Sequence, residues 1–198
     1  MQQDEYTLLR NFISNFIDVT EAEWILHRDT LTRRFFRKGE FLLREGQVCD
    51  HVSFVNSGSF RAYMMINGVE VSNFFFFENC YATDYGSFLT RKPSDSNLIA
   101  LEDAEVLQLN YNNMQMLYDK VPSWQKYGRL MGESVFIMAE ERAKMLQLNS
   151  PEELYLKILK EQPQIIERVP LQHIASYMAI KPESLSRIRK RVMEEKKV

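Results

Sequence analysis

The sequence predicts an α+β chain: an aromatic-rich antiparallel β-barrel or sandwich with flanking helices, then one long helix, then a closing pair of short helices. Three observations predict it. Segments rich in Phe, Val and Tyr alternate with Gly39, Gly46, Gly58 and Gly68, a turn spacing of roughly seven to twelve residues that suits short antiparallel strands. Between Pro122 and Pro151 a helical pattern runs unbroken over residues 122–148. Val169–Val192 carries two amphipathic stripes separated by one tight break.

Composition sets the outer bounds. A chain of 198 residues that is 45% hydrophobic can bury one core or two small ones. No run approaches the apolar length of a membrane span, and Met1-Gln2-Gln3-Asp4-Glu5 lacks the basic-then-apolar form of a signal peptide. The two cysteines, Cys49 and Cys80, are far apart and form no C-x-x-C pair. They point to a reducing cytoplasm and exclude an all-Cys iron–sulfur site within one chain.

In chain order, Asp4–Asp18 places Leu8, Leu9, Phe12, Ile13, Phe16 and Ile17 at helical spacing with Asp4 as a cap. Thr20-Glu21-Ala22-Glu23 opens a second helix through Trp24 and Leu26. From Arg33 the period becomes that of strands. Asn67-Gly68, between Phe60–Ile66 and Val69–Phe77, is a two-residue hairpin signal. Asn97–Leu101 and Ala104–Leu109 read as two further strands turned at Glu102-Asp103, after which Asn112 or Asn113 caps a short helix through Leu117. On the long helix, Tyr127, Met131, Ser134, Met138 and Met145 approximate a seam of threes and fours. The helix is expected to pack on its own barrel and on a second copy, with a domain boundary near Asn149-Ser150 that separates residues 1–149 from 150–198.

The last segment carries the chemistry. In its first helix Leu171, Ile174, Ala175 and Met178 recur on one side; Ala179-Ile180-Lys181 makes the turn, and Pro182 opens the second helix, where its missing N–H costs nothing. There Leu185, Ile188 and Val192 form the buried stripe and leave Glu183, Ser186, Arg187, Lys190 and Arg191 outside. An inner stripe that docks and an outer face of Arg, Ser and Glu suit a helix lying in a DNA major groove, where Arg reads guanine edges and Lys and hydroxyls hold phosphates. Paired amphipathic helices also occur in many all-α domains, with solvated Arg-rich faces. Charge distribution favours DNA: from Lys181 to Val198 there are seven Lys/Arg against three Asp/Glu, while the whole chain has 25 against 27.

Lys38-Gly39-Glu40, the turn glycines Gly46, Gly58 and Gly68, and Ile174-Ala175 followed by Ser184-Leu185-Ser186-Arg187-Ile188 together resemble the Crp/Fnr family of bacterial transcription regulators over nearly the whole chain. The resemblance implies a cyclic-nucleotide-binding-like jelly roll, a long dimerisation helix and a helix-turn-helix. It implies that Glu183 and Arg187 read base edges, that Lys181, Ser184, Ser186, Lys190 and Arg191 contact backbone or flanking bases, and that Gln172 holds a phosphate. Its implied partners are a palindromic DNA operator and a second copy of the chain, with RNA polymerase and a small-molecule effector as further candidates. Glu161–Arg168 leaves little room for the β-hairpin wing found in many relatives.

The family's nucleotide pocket uses a Gly-Glu pair for the ribose and an Arg-Ser/Thr pair for the cyclic phosphate. Here Thr83-Asp84 stand at the first pair, and Ser94 or Asp95 at the arginine. Losing that cation removes a charge-assisted pair, and Arg91 and Lys92 sit at a loop tip before Pro93. Cyclic AMP is therefore not expected as a ligand, and no cofactor is expected. Phe76, Tyr81, Thr83, Asp84, Tyr85, Asp95, Ser96 and Asn97 are the candidate lining of a pocket for another, partly apolar effector; alternatively the aromatics simply fill the barrel core.

His27, His51 and His173 fall in separate elements, and no nucleophile–base set, phosphate-binding glycine loop or zinc spacing is present. The expected function is that of a dimeric, sequence-specific DNA-binding regulator and not an enzyme. The alternative is a ligand-binding or protein-interaction module of the same fold that does not bind DNA.

Overall fold

The computed structural model describes residues 5–195. The proposed cap Asp4 lies outside them. Helix α1 (Thr7–Ser14) buries Leu9 and Ile13, and helix α2 (Glu21–Arg28) buries Trp24 and His27. The start of α2 is a full capping box: the Thr20 side chain accepts from the Glu23 amide, and the Thr20 amide donates to the Glu23 carboxylate at 2.9 Å.

Eight strands follow: β1 (Thr32–Phe36), β2 (Phe41–Leu43), β3 (His51–Ser57), β4 (Phe60–Ile66), β5 (Val69–Phe76), β6 (Tyr81–Ala82), β7 (Asn97–Ala100) and β8 (Ala104–Asn110). They form two four-stranded sheets, ordered β1-β8-β3-β6 and β2-β7-β4-β5. The pairings β1–β8, β3–β8, β3–β6 and β2–β7 are all antiparallel. This is a jelly-roll-like arrangement followed by helices, as the sequence predicts. Asn67 (φ 52°) and Gly68 (φ 79°) give the β4–β5 turn the two left-handed residues of a type I′ hairpin. The turn at Glu102-Asp103 does a different job from a hairpin: β7 and β8 lie in different sheets, so it carries the chain across the roll. Gly58 sits against that turn with φ +84°, and a Cβ there would meet the Asp103 carbonyl oxygen at 2.5 Å.

Helix α3 (Tyr85–Thr90) interrupts the strands. Helix α4 (Tyr111–Lys120) begins two or three residues earlier than the sequence suggests and runs past Leu117. Its cap is Asn110, whose side chain accepts from the Asn113 amide at 2.8 Å, and not Asn112 or Asn113. Helix α5 runs Pro122–Leu148. Ser150 caps helix α6 (Pro151–Glu161) through a second capping box. Helices α7 (Pro163–Arg168), α8 (Leu171–Tyr177) and α9 (Pro182–Glu195) complete the chain.

Two compact units result. One comprises Met1–Ala62 with Phe76–Val135, and the other Tyr63–Phe75 with Phe136–Val198. The second unit thus takes in the outer part of the β4–β5 hairpin and the distal half of α5.

Candidate functional site

The helix pair α8–α9 is built on a buried stripe. Ile174, Ala175, Tyr177 and Met178 are buried on the first helix, and Leu185, Ile188 and Val192 on the second. The break between them is a left-handed Ala179 (φ 56°), and the Ile180 amide donates back to the Ala175 carbonyl at 3.0 Å. That bond satisfies a terminal carbonyl of α8 in the manner of a Schellman closure, although a residue with a Cβ is strained there. Pro182 begins α9.

Gln172, Lys181, Glu183, Ser186, Arg187, Lys190 and Arg191 are exposed, and Ser184 is half-buried. Arg187 is exposed and has no ion pair among the described residues. Lys190 reaches only a loose 3.9 Å pairing with Glu194 on its own helix. Arg191 differs: its guanidinium is engaged by Glu152 of α6 at 2.6 Å, so its first role is to tie α9 to α6. Residues 163–168, where a wing would insert, are helical instead.

Sequence reasoning missed what Ser176 does. Its hydroxyl donates to the Glu70 carbonyl at 2.9 Å and accepts from the Ser72 amide at 3.0 Å. Both backbone groups belong to β5, the end strand of its sheet, so α8 covers an edge that would otherwise stay unpaired. The Tyr177 ring lies 5.2 Å from Phe75, and the Arg142 guanidinium lies over the same tyrosine at 3.5 Å. A serine in an amphipathic helix gives no advance sign of such a partner, because the partner is a hundred residues away in sequence.

The residues expected on the long-helix seam separate. Tyr127 and Met131 face the first unit's interior and Met145 is buried; Ser134 and Met138 are exposed. The seam as drawn is therefore not one continuous free face. The sequence pattern placed all five together because spacing alone cannot say which apolar side meets the barrel. The exposed apolar side chains of α5 are instead Phe136 (70%), Ile137 (53%) and Met138 (43%), followed by Leu146 and Leu148.

The expected effector pocket also divides. Strand alternation gives the β1-β8-β3-β6 sheet two faces. On one face Ser53, Ala82 and Gln108 border a hollow of about 310 Å³. On the other, Val52, Tyr81 and Leu109 border an apolar cavity of about 100 Å³, closed by α2, α4 and α5. Thr83 touches both and Tyr85 only the second. Phe76 is buried in packing. Asp95 is exposed, while Asn97 is buried and its side-chain oxygen accepts from the Glu45 amide at 3.1 Å. Neither those three nor Ser96 borders either space.

The polar groups that would meet a cyclic nucleotide are already engaged with one another. Asp84 caps α3, accepting from the Ser87 amide at 3.1 Å, and its other oxygen accepts from the Ser94 hydroxyl. The Ser87 hydroxyl donates to the Lys92 carbonyl and accepts from the Cys49 amide at 2.9 Å. The Thr83 hydroxyl donates to the His51 carbonyl at 3.2 Å. Arg91 donates to the Cys49 carbonyl at 2.9 Å, pairs with Asp50 and lies over the Tyr111 ring at 4.3 Å. A carboxylate thus stands at the α3 terminus, and Arg91 is spoken for. These residues do not fit a cyclic phosphate.

Residues 33–121 match the family model of the cyclic nucleotide-binding domain. The nucleotide-binding-domain fold is therefore present. FixK2 from Bradyrhizobium japonicum superposes with a TM-score of 0.70 at 15% identity, over 83% of this chain and 85% of that one. The c-di-GMP responsive global regulator CLP of Xanthomonas campestris gives 0.65 at 16% identity, covering 89% and 93%. The Thermus thermophilus catabolite activator protein gives 0.57 at 18% identity, covering 91% and 86%. At these identities the likeness is one of fold. No curated protein sequence matches the chain.

Burial dominates the titration of Cys80, Tyr81 and Tyr127. The Cys80 thiol is pushed up to about 12 by desolvation and donates to the Phe77 carbonyl at 3.0 Å, so it is not a reactive thiolate. Tyr81 and Tyr127 share a hydroxyl–hydroxyl bond of 3.0 Å and burial raises both. Among the described residues no group of His, Cys, Asp and Glu is arranged to hold a metal, and no helix is long and apolar enough to cross a membrane.

Proposed function

We propose that the chain is a homodimeric, sequence-specific DNA-binding transcription regulator of the Crp/Fnr type, controlled by an effector other than cyclic AMP or by none. The observation that carries the reading is α9: a fully buried Leu185 and a nearly buried Ile188 dock one side, and Glu183, Ser186, Arg187 and Lys190 stand exposed on the other. In a major groove Arg187 and Glu183 reach base edges, Arg187 to guanine and Glu183 to cytosine N4. Lys181, Ser184, Ser186 and Lys190 serve the phosphates, with Gln172 of α8. Arg191 contributes less, being held by Glu152.

Dimerisation uses the distal half of α5. Phe136, Ile137 and Met138 expose apolar area in sequence succession, and covering it by the same helix of a second copy gives a two-fold particle. Two recognition helices then meet half-sites about one duplex turn apart. RNA polymerase is the further partner of a regulator that activates.

Selection of bound duplexes from a random pool tests the reading. Enrichment of an inverted repeat is expected, and Phe136→Glu with Ile137→Glu turns the dimer into a monomer in sedimentation and weakens binding to the repeat. Absence of any enriched sequence overturns the proposal.

A further inference from the structure

The 100 Å³ cavity on the helix-covered face of the β1-β8-β3-β6 sheet has properties that packing alone does not account for. No Asp, Glu, Lys or Arg borders it. Two of the side chains that do, His27 and Trp124, are 4% and 2% exposed, and each has a buried polar atom without a hydrogen-bond partner: Nδ1 of the imidazole and Nε1 of the indole. The two rings meet edge to face with centroids 4.7 Å apart. The neighbouring hydroxyls of Tyr81 and Tyr127 are occupied with each other. Orphaned polar atoms this deep are uncommon and call for a partner.

We propose that this cavity is a binding site for a small neutral molecule of the phenol class, one ring carrying one hydroxyl. The wall fixes each part of that description. Its apolar lining takes a ring, and at about 100 Å³ it is smaller than the roughly 150 Å³ apolar cavity known to admit benzene; Met114 and Met131 border it and supply adaptable side chains that accommodate the difference. A hydroxyl accepts from the Trp124 N–H and donates to, or accepts from, His27 Nδ1, whichever tautomer is present. Burial holds the imidazole down to about 4, so it is neutral at pH 7, and a charged ligand would find no counter-ion in the wall. The site lies on the opposite face of the sheet from the hollow bordered by Ser53 and Gln108, and it stands whether or not the chain binds DNA.

The test is a titration of the full chain with phenol, and with toluene as the ring without the hydroxyl, followed by the indole N–H resonance of Trp124. Only Trp24 shares that spectral region, since the sequence has two tryptophans. A saturable shift at about millimolar phenol or below is expected, with toluene about tenfold weaker. His27→Phe removes one of the hydroxyl's two partners and leaves the Trp124 N–H, so the preference for phenol narrows from about tenfold to about threefold. Val135→Trp fills the space and abolishes both. A phenol response that fails to saturate, a toluene affinity equal to that of phenol in the unaltered protein, or a preference that His27→Phe leaves undiminished overturns the proposal.

Discussion

Lowering the pH is a sharp perturbation of the first unit, because the imidazole of His27 is buried in it. His27 is 4% exposed and desolvation moves its pKa from 6.5 down to about 4. The unfolded chain takes up a proton near pH 6.5 and the folded chain only near 4, so the unfolded state gains proton-binding free energy as the pH falls between them. The stability associated with neutral His27 is complete above about pH 6.5 and is lost on acidification. With those two values the loss is about 2 kcal/mol by pH 5 and about 3 kcal/mol by pH 4. His51 is lowered in the same direction, chiefly by burial, so the slope must be measured against a variant that lacks only His27. His27→Phe keeps a ring between Trp24 and Trp124, which lie 5.8 and 4.7 Å from the imidazole. Both tryptophans belong to the first unit, so urea unfolding followed by intrinsic fluorescence reports that unit directly. Between pH 7.5 and 5 the unaltered protein is expected to lose about 2 kcal/mol more than His27→Phe. Parallel pH profiles, or a variant that loses more, would refute the assignment of a buried neutral imidazole.

Other perturbations follow from local geometry. Gly58→Ala places a Cβ 2.5 Å from the Asp103 carbonyl and 2.7 Å from Ala104 Cα, all backbone, at φ +84°; it should cost about 3 kcal/mol or more in urea unfolding, against about 1 kcal/mol for Gly39→Ala, where φ is +86° and the space is open. Ala179→Gly relieves the left-handed strain at φ 56° in the α8–α9 turn and should stabilise the second unit by about 1 kcal/mol in the same assay. Calorimetric titration with cyclic AMP should show no saturable heat at micromolar concentrations, because Asp84 occupies the α3 terminus and Arg91 is paired with Asp50; tight binding would show that this network opens for ligand.

Local signals carried most of the architecture into the sequence. Thr20 with Glu23 and Ser150 with Glu153 mark their helix starts by composition and spacing, and both capping boxes are present. Asn67-Gly68 forced its hairpin because two consecutive left-handed residues suit few other pairs. The stripe of Leu185, Ile188 and Val192 was equally legible, since burial repeats at helical spacing. What escaped depends on contacts distant in sequence. The α4 cap shifted to Asn110 because β8 continues to that residue before the helix turns away. Tyr127 and Met131 border the first unit's cavity, and a spacing of threes and fours does not say which of its positions meet the barrel. Arg191 reads as one more cation beside Lys190 until α6 brings Glu152 to 2.6 Å. The helix-covered cavity was not legible: Tyr81, Thr83 and Tyr85, expected around a pocket of the barrel, border it, but His27 and Trp124 come from helices outside the aromatic strands. Their histidine–tryptophan contact crosses nearly a hundred residues and leaves no local pattern.

A chain whose exposed α9 face reads duplex DNA, as proposed, must show it in binding. The most direct measurement is the affinity for a selected inverted repeat across a salt series, for the unaltered protein, Arg187→Ala and Arg191→Ala. Log K is expected to fall linearly with log salt. Arg187→Ala is expected to lose about 10- to 100-fold and to relax the preference at one base position in each half-site, while Arg191→Ala loses less. Affinity that is indifferent to salt, or an Arg187→Ala protein that binds the repeat as tightly and selectively as the unaltered one, would contradict the proposal.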